Sequence, residues 1–283
     1  MSSLVFDCDG VLADTERDGH RVAFNQMFAE FGLPAFWSEE EYKERLQIAG
    51  GKERLATLFT PEFADCIGFR GDARQKADMI ARWHARKTQI YLELVEAGQV
   101  PTRPGIRRII SEALAAGWRL AVASTSSEPA VRAVLAQAAG DDAKRFDLVL
   151  AGDVVLRKKP APDIYTLALQ RLGVPGETVL VVEDSRNGLI SAVQAGLRCV
   201  VTVSAYTVDE TFDGAALIVS SLGDPGSEAT RVHANRSCGV LGEYVTLDDL
   251  ARCLRPACQL PRPSLVALAA AVADQHRLER RGP

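Results

Sequence analysis

Four groups of polar residues stand at or just beyond apolar runs. Asp7 and Asp9 follow Leu4-Val-Phe, and Ser124, Thr125 and Ser126 follow Leu120-Ala-Val-Ala. Lys158 and Lys159 lie in the loop after Phe146 to Leu150, and Glu183 and Asp184 end the run from Thr178 to Val182. Together they supply what hydrolysis of a phosphate ester needs: a nucleophile, a proton shuttle, a metal site and cationic support for the transferring group. Asp7 is the candidate nucleophile, forming an aspartyl phosphate. Asp9, two residues on, shares its side of an extended chain. It can protonate the leaving oxygen and then activate water, a role worth about 10²–10⁴-fold in rate. Asp7, the Asp9 carbonyl and Asp184, with Glu183 beside them, are hard oxygen donors suited to Mg²⁺. Ser124 can donate hydrogen bonds to phosphate oxygens. Lys159 can offset negative charge on the nucleophile and on the phosphoryl group.

The elements that position these residues are read from periodicity. Apolar runs at 4–6, 120–123, 146–150, 178–182 and 199–202 are short buried strands. Between them Ile106 to Leu114, Ile164 to Leu172 and Leu189 to Val193 repeat at helical spacing, closed by Gly117, Gly173 and Gly196. Alternating βα units predict a parallel sheet covered on both faces, with ligands beyond the carboxyl ends of the strands. The pattern breaks after the first strand. From 16 to 98 the chain is helical and charged, with helices expected over Val22 to Phe31 and Asp72 to Ala97. The expected fold is therefore α/β: a Rossmann-like parallel sheet core (residues 1–15 and 99–254), an inserted α-helical cap (16–98), and a C-terminal linker and helix (255–283).

The net charge of −4 excludes a broad basic surface for nucleic acid. Six scattered cysteines lack a C-x-x-C pair, so neither a zinc site nor a redox dithiol is expected. Cys8 is read as a small strand residue pointing away from Asp7 and Asp9. The longest apolar stretch, Leu265 to Ala273, is too short to span a bilayer. No secretory leader pattern precedes the first strand, and a monomeric, cytoplasmic enzyme is expected.

Each group also has a plainer reading. Asp and Gly favour turns, and Ser124 to Ser126 and Glu183/Asp184 can cap the helices that follow them. Four such groups at strand or loop ends of one sheet favour an active site over four coincidences.

Asp7-Cys-Asp-Gly-Val-Leu-Ala-Asp-Thr-Glu, the Ser124 strand end, Lys159-Pro-Ala-Pro-Asp and Val182-Glu-Asp-Ser-Arg-Asn-Gly resemble, in order, the four motifs of the haloacid dehalogenase superfamily, in the branch with a helical cap. The resemblance implies a Mg²⁺-dependent phosphoric monoester hydrolase with Lys159 as the catalytic lysine. Asp14-Thr-Glu-Arg-Asp-Gly-His-Arg, Gly50-Gly-Lys-Glu-Arg and Arg157-Lys-Lys-Pro-Ala-Pro-Asp-Ile-Tyr further resemble CbbY-like phosphatases. These act on xylulose-1,5-bisphosphate, an inhibitor of Rubisco, which implies a phosphorylated sugar as partner and a place in the Calvin cycle. A bisphosphate needs a second anion site, which Gly51 and Lys52 can supply from the cap, while Glu16 can accept hydrogen bonds from sugar hydroxyls. In related phosphoglucomutases a cap-entry histidine would fall at Gly19; His20 stands one place later and is read as a surface or hinge residue. That favours a phosphatase over a phosphomutase. The same residues could also serve a phosphoglycolate phosphatase or a non-catalytic sugar-phosphate sensor. A dehalogenase would need neither Asp9 as acid nor Mg²⁺.

Overall fold

The computed structural model describes residues 1–48, 50–237 and 239–255. Seven strands form one sheet: β1 (Ser3–Phe6), β2 (Arg119–Ala123), β3 (Leu148–Leu150), β4 (Val179–Glu183), β5 (Arg198–Thr202), β6 (Leu217–Val219) and β7 (Val232–Asn235). Their order is β3-β2-β1-β4-β5-β6-β7. The first six run parallel, and β7 pairs antiparallel with β6 at the edge. The expected Rossmann-like core is present, with two corrections: β6 extends the sheet where no strand was expected, and β7 is antiparallel. The expected strand from Phe146 is shorter and starts at Leu148.

The strands obey the period of two, with both faces buried. Leu4, Phe6, Leu120, Val122, Leu180 and Val182 pack on one face, and Val5, Ala121, Ala123, Val179 and Val181 on the other. Helices α6 (Ile106–Ala115), α7 (Glu128–Ala139), α8 (Asp163–Leu172), α9 (Arg186–Gln194) and α10 (Leu247–Cys253) belong to this sheet.

Five further helices stand between β1 and α6: α1 (Arg21–Glu30), α2 (Glu39–Arg45), α3 (Gly51–Ala56), α4 (Pro61–Cys66) and α5 (Ala73–Glu96). Asp72 caps α5 through a reciprocal bond with Gln75. Phe24, Phe28 and Trp37 pack with ring centroids 4.7–4.9 Å apart around Trp37, an arrangement that suits aromatic pairs. The two connections to the core meet where Ala13 bridges Thr102 and the Asp14 amide donates to the Pro101 carbonyl.

Among the described residues no helix is long and apolar enough to cross a membrane. Cys8, Cys66, Cys199 and Cys253 are free thiols. The expected linker and C-terminal helix lie outside the described residues beyond Arg255, as do Cys238 and Cys258.

Candidate active site

The strand order places the switch point of the sheet between β1 and β4, because the chain moves outward from β1 through β2 and β3 and then returns to β1's other side. Phe6 is level with Val122 and Val182, and the Asp7 amide donates to the Val182 carbonyl at 2.9 Å. Asp7 thus emerges beside Ala123 and Glu183. Oxygens of Asp7, Glu183 and Asp184 lie within 4.8 Å of one another, and all three residues are buried.

Lys159 spans this cluster. Its Nζ donates to Asp7 Oδ1 (2.7 Å), Glu183 Oε1 (2.6 Å) and the Ala123 carbonyl (3.0 Å). An ammonium has three hydrogens, so all are used. Burial pushes the Asp7 carboxyl up to about 7, with help from Glu183 and Asp9 and against the pull of Lys159. Burial, Glu183 and Asp7 also push Asp184 well above the usual carboxylate range. The Asp184 carboxylate has no hydrogen-bond donor among the described residues. Three buried carboxylates facing one ammonium, one of them without a donor, form a donor set that fits a divalent cation. Gly10, at φ 72°, makes room for it: a Cβ there would stand 2.1 Å from Asp184 Oδ2.

The Asp9 side chain turns to different partners. Thr15 Oγ1 donates to Oδ1 at 2.7 Å, His20 Nε2 lies 3.2 Å from Oδ1, and Ser126 Oγ donates to Oδ2. Burial alone would raise the Asp9 carboxyl, but the His20 charge and the three hydrogen bonds drive it well below the usual carboxylate range. A carboxylate can only accept, so His20 Nε2 carries a hydrogen toward Asp9, while Nδ1 lies 2.7 Å from Lys87 Nζ.

His20 is therefore not a surface residue. It is buried and stacks on Tyr91, with centroids 4.1 Å apart. The cause is a π-helical turn over Glu16–His20, where the Arg21 amide bonds back to the Glu16 carbonyl. A π-turn absorbs one extra residue, so the histidine displaced by one position still faces Asp9. Gly19 instead lies against Tyr91, where a Cβ would sit 2.7 Å from the ring.

Two cavities meet at this site. The first, about 160 Å³, is lined by Asp7, Asp9, Glu16, Ser124, Thr125, Lys159 and Asp184, among others. The second, about 520 Å³, is lined by Gly51, Lys52, Ser126, His84, Lys87 and Lys158, among others. Gly50 and Thr125 border both. The structure thus gathers the core residues of the candidate site but sets Gly51, Lys52 and Ser126 in the adjoining chamber. Ser126 is also tied to Asp9.

Lys43 and Arg54 supply the cationic side of the first cavity, and sequence reasoning missed both. Lys52 and Arg54 are two residues apart on α3, which turns them to different sides of the helix. Arg54 Nη1 donates to the Tyr42 hydroxyl (3.0 Å), which donates to Glu16 Oε2 (2.6 Å). Thr15 and Lys87 were also missed, as were Tyr206 and Glu210, which line the first cavity from the segment after β5. Cys8 is buried, and burial followed by the charges of Asp9 and Asp7 pushes its thiol well above the usual range, so it is no nucleophile.

The sequence pattern of the haloacid dehalogenase-like hydrolases matches residues 1–196. The chain belongs to this family of hydrolases. It is 44% identical over 230 residues to protein CbbY of Cereibacter sphaeroides, covering 81% of this chain and 96% of that one. It is 43% identical over 231 residues to a CBBY-like protein of Arabidopsis thaliana, covering 80% of this chain and 71% of the relative. The fold matches a crystal structure of a CbbY mutant from Rhodobacter sphaeroides in complex with xylulose-1,5-bisphosphate. The TM-score is 0.68 at 41% identity, over 80% of this chain and 96% of that chain. The mostly parallel sheet places this hydrolase's carboxylate cluster at the switch point where such folds bind ligands.

Proposed function

We propose that this hydrolase is a magnesium-dependent phosphatase that removes a phosphoryl group from a phosphorylated sugar through an intermediate on Asp7. The observation that supports this most is the contact of Lys159 with Asp7 at the mouth of a cavity that also holds Asp9, Ser124 and Asp184. In this reading residues 16–98 act as a cap over a core of 1–15 and 99–254.

Asp7, Asp184 and the Asp9 carbonyl, with Glu183 alongside, would hold a magnesium ion, which offsets carboxylate–phosphate repulsion when bound. Lys159 orients Asp7 and favours its charged form. The Asp7 carboxylate attacks phosphorus, the ester P–O bond breaks, and the leaving oxygen takes the proton carried by Asp9. Asp9 is a carboxylate in the resting protein. The arriving phosphate charge raises its pKa, so Asp9 takes up one proton from solvent as the substrate binds and carries it to the leaving oxygen. In the second step Asp9 accepts a proton from water as the water attacks the aspartyl phosphate, freeing Asp7 and inorganic phosphate. Ser124 and Thr125 border the space the phosphoryl group would occupy.

The adjoining chamber supports a substrate with two anionic ends. Lys52 and Lys158 offer cationic contacts there, and Arg54, Lys43 and Glu16 line the first cavity beside Asp7. With the similarity to CbbY, this favours xylulose-1,5-bisphosphate. One observation favours a second reading: His20 does reach Asp9, so its displacement in sequence no longer argues against a phosphomutase.

A panel containing xylulose-1,5-bisphosphate, hexose phosphates and phosphoglycolate, assayed for inorganic phosphate with and without Mg²⁺, separates the readings. The expected result is Mg²⁺-dependent phosphate release, highest kcat/KM on the bisphosphate, without an added activator. Turnover of a hexose monophosphate to its isomer, dependent on a bisphosphate activator, would establish the mutase instead. Binding without turnover of any ester would refute both.

A further inference from the structure

Tyr165, on α8, lines neither cavity and is fully buried. Its hydroxyl donates to Glu183 Oε1 at 2.5 Å, the oxygen that also accepts from Lys159 at 2.6 Å. Its ring lies beneath the same ammonium, with Lys159 Nζ 5.0 Å from the centroid. Glu183 is fully buried, and a Cβ on Gly188 would stand only 1.9 Å from Glu183 Cδ. The carboxylate is wedged between α9, the tyrosine and the lysine.

We propose that Tyr165 is a positioning residue that commits Glu183 to Lys159 and thereby sets how Lys159 presents Asp7 for attack. Lys159 has no spare hydrogen, so its charge is divided among Asp7, Glu183 and the Ala123 carbonyl. The hydroxyl fills the second lone pair of Glu183 Oε1 and limits how strongly that carboxylate draws the ammonium away from Asp7. A phenol keeps its proton at neutral pH, so the hydroxyl is a donor there.

This inference rests on the reading of Asp7 as nucleophile, and the test keeps the two apart. Tyr165→Phe keeps the ring and removes only the donor. Losing one hydrogen bond to a charged group corresponds to about 10- to 100-fold in rate. Steady-state kinetics should show kcat reduced by about that factor with KM within about threefold of wild type, because substrate is not touched. In a Glu183→Gln background, where the charge that the hydroxyl serves is gone, adding Tyr165→Phe should cost less than about threefold. A Tyr165→Phe enzyme with kcat within twofold of wild type overturns the proposal. Equal losses in both backgrounds, or a loss carried by KM, do so as well. A variant that circular dichroism shows unfolded at the assay temperature assigns the hydroxyl to folding and equally overturns it. Asp7→Asn is measured alongside: turnover by that variant removes the nucleophile reading, whereas an inactive Asp7→Asn beside a fully active Tyr165→Phe removes this inference alone.

Discussion

Gly188→Ala sets a local rule against a packing constraint. Gly188 lies in the first turn of α9 with no left-handed backbone requirement, its amide donating to Ser185 Oγ at 3.2 Å. Replacing a helical glycine by alanine ordinarily stabilises by about 0.5–1 kcal/mol. Here the new methyl would lie 1.9 Å from Glu183 Cδ and 2.0 and 2.2 Å from its oxygens. Relief requires the carboxylate to move by more than an ångström, yet it is fully buried and bonded to Lys159 and Tyr165. Overpacking costs about 1–3 kcal/mol, and parting one member of a buried ion pair costs about 3–5 kcal/mol when complete. Partial displacement set against the helix gain leaves a net loss of at least about 2 kcal/mol. For a chain of this size that lowers Tm by roughly 4–8 °C. Because Glu183 shares Lys159 with Asp7, kcat should also fall by about 10²-fold, the cost of an ångström-scale misplacement. Thermal melts and steady-state kinetics on purified protein measure both. An alanine variant that melts at or above the wild-type temperature, or keeps its kcat, would refute the assigned role of the Glu183 wedge.

Further outcomes follow from the buried charges and the cavity linings. Burial pulls the Lys87 ammonium down to about 7 from an unfolded value near 10.5. The unfolded chain therefore holds the extra proton between pH 7 and 10.5, and the penalty of burying Lys87 is full below pH 7 and fades as pH rises across that window. Lys87→Met should raise Tm more at pH 7 than at pH 10, and an equal shift at both would contradict the burial argument. Asp7, raised to about 7 without metal, keeps a proton that the unfolded chain loses near 3.8, so this group costs stability progressively as pH rises from about 4 to 7. Metal binding must displace that proton and the one that burial leaves on Asp184, so Mg²⁺ affinity measured by calorimetry should rise at least about tenfold per pH unit below 7; a flat profile from pH 5.5 to 7 would count against the assignment. Lys52→Ala should raise KM for a bisphosphate about 10- to 100-fold while leaving monophosphate KM nearly unchanged, whereas Arg54→Ala should raise both. Equal effects of Lys52→Ala on the two substrates would exclude the second chamber as an anion site.

Much of the core was legible because a buried parallel strand leaves a simple record, an apolar run followed by whatever the sheet's rim carries. Leu4-Val-Phe before Asp7 and Val179 to Val182 before Glu183 are such records. Their neighbourhood follows from the strand order, which no single run encodes. β7 escaped notice because Val232, His233 and Asn235 are exposed, so the edge strand lacks an inward-facing apolar series. Helices α2 to α4, each of six or seven residues, are too short to display a period. The placement of His20 could not be read by counting, because a helical count assumes 3.6 residues per turn and the π-turn does not. Lys52 attracted attention beside its glycines, yet the phase of α3 turns Arg54 toward Asp7's cavity and Lys52 to the next.

The central claim is that Asp7 carries the phosphoryl group. Rapid acid quench of the wild-type enzyme turning over in Mg²⁺, followed by peptide mass spectrometry, tests it most directly. The expected result is one phosphoryl group on the peptide containing Asp7, absent from a folded Asp7→Asn protein that also releases no phosphate. Phosphate release by Asp7→Asn at the wild-type rate, or a phosphoryl group on a different residue, would contradict the account.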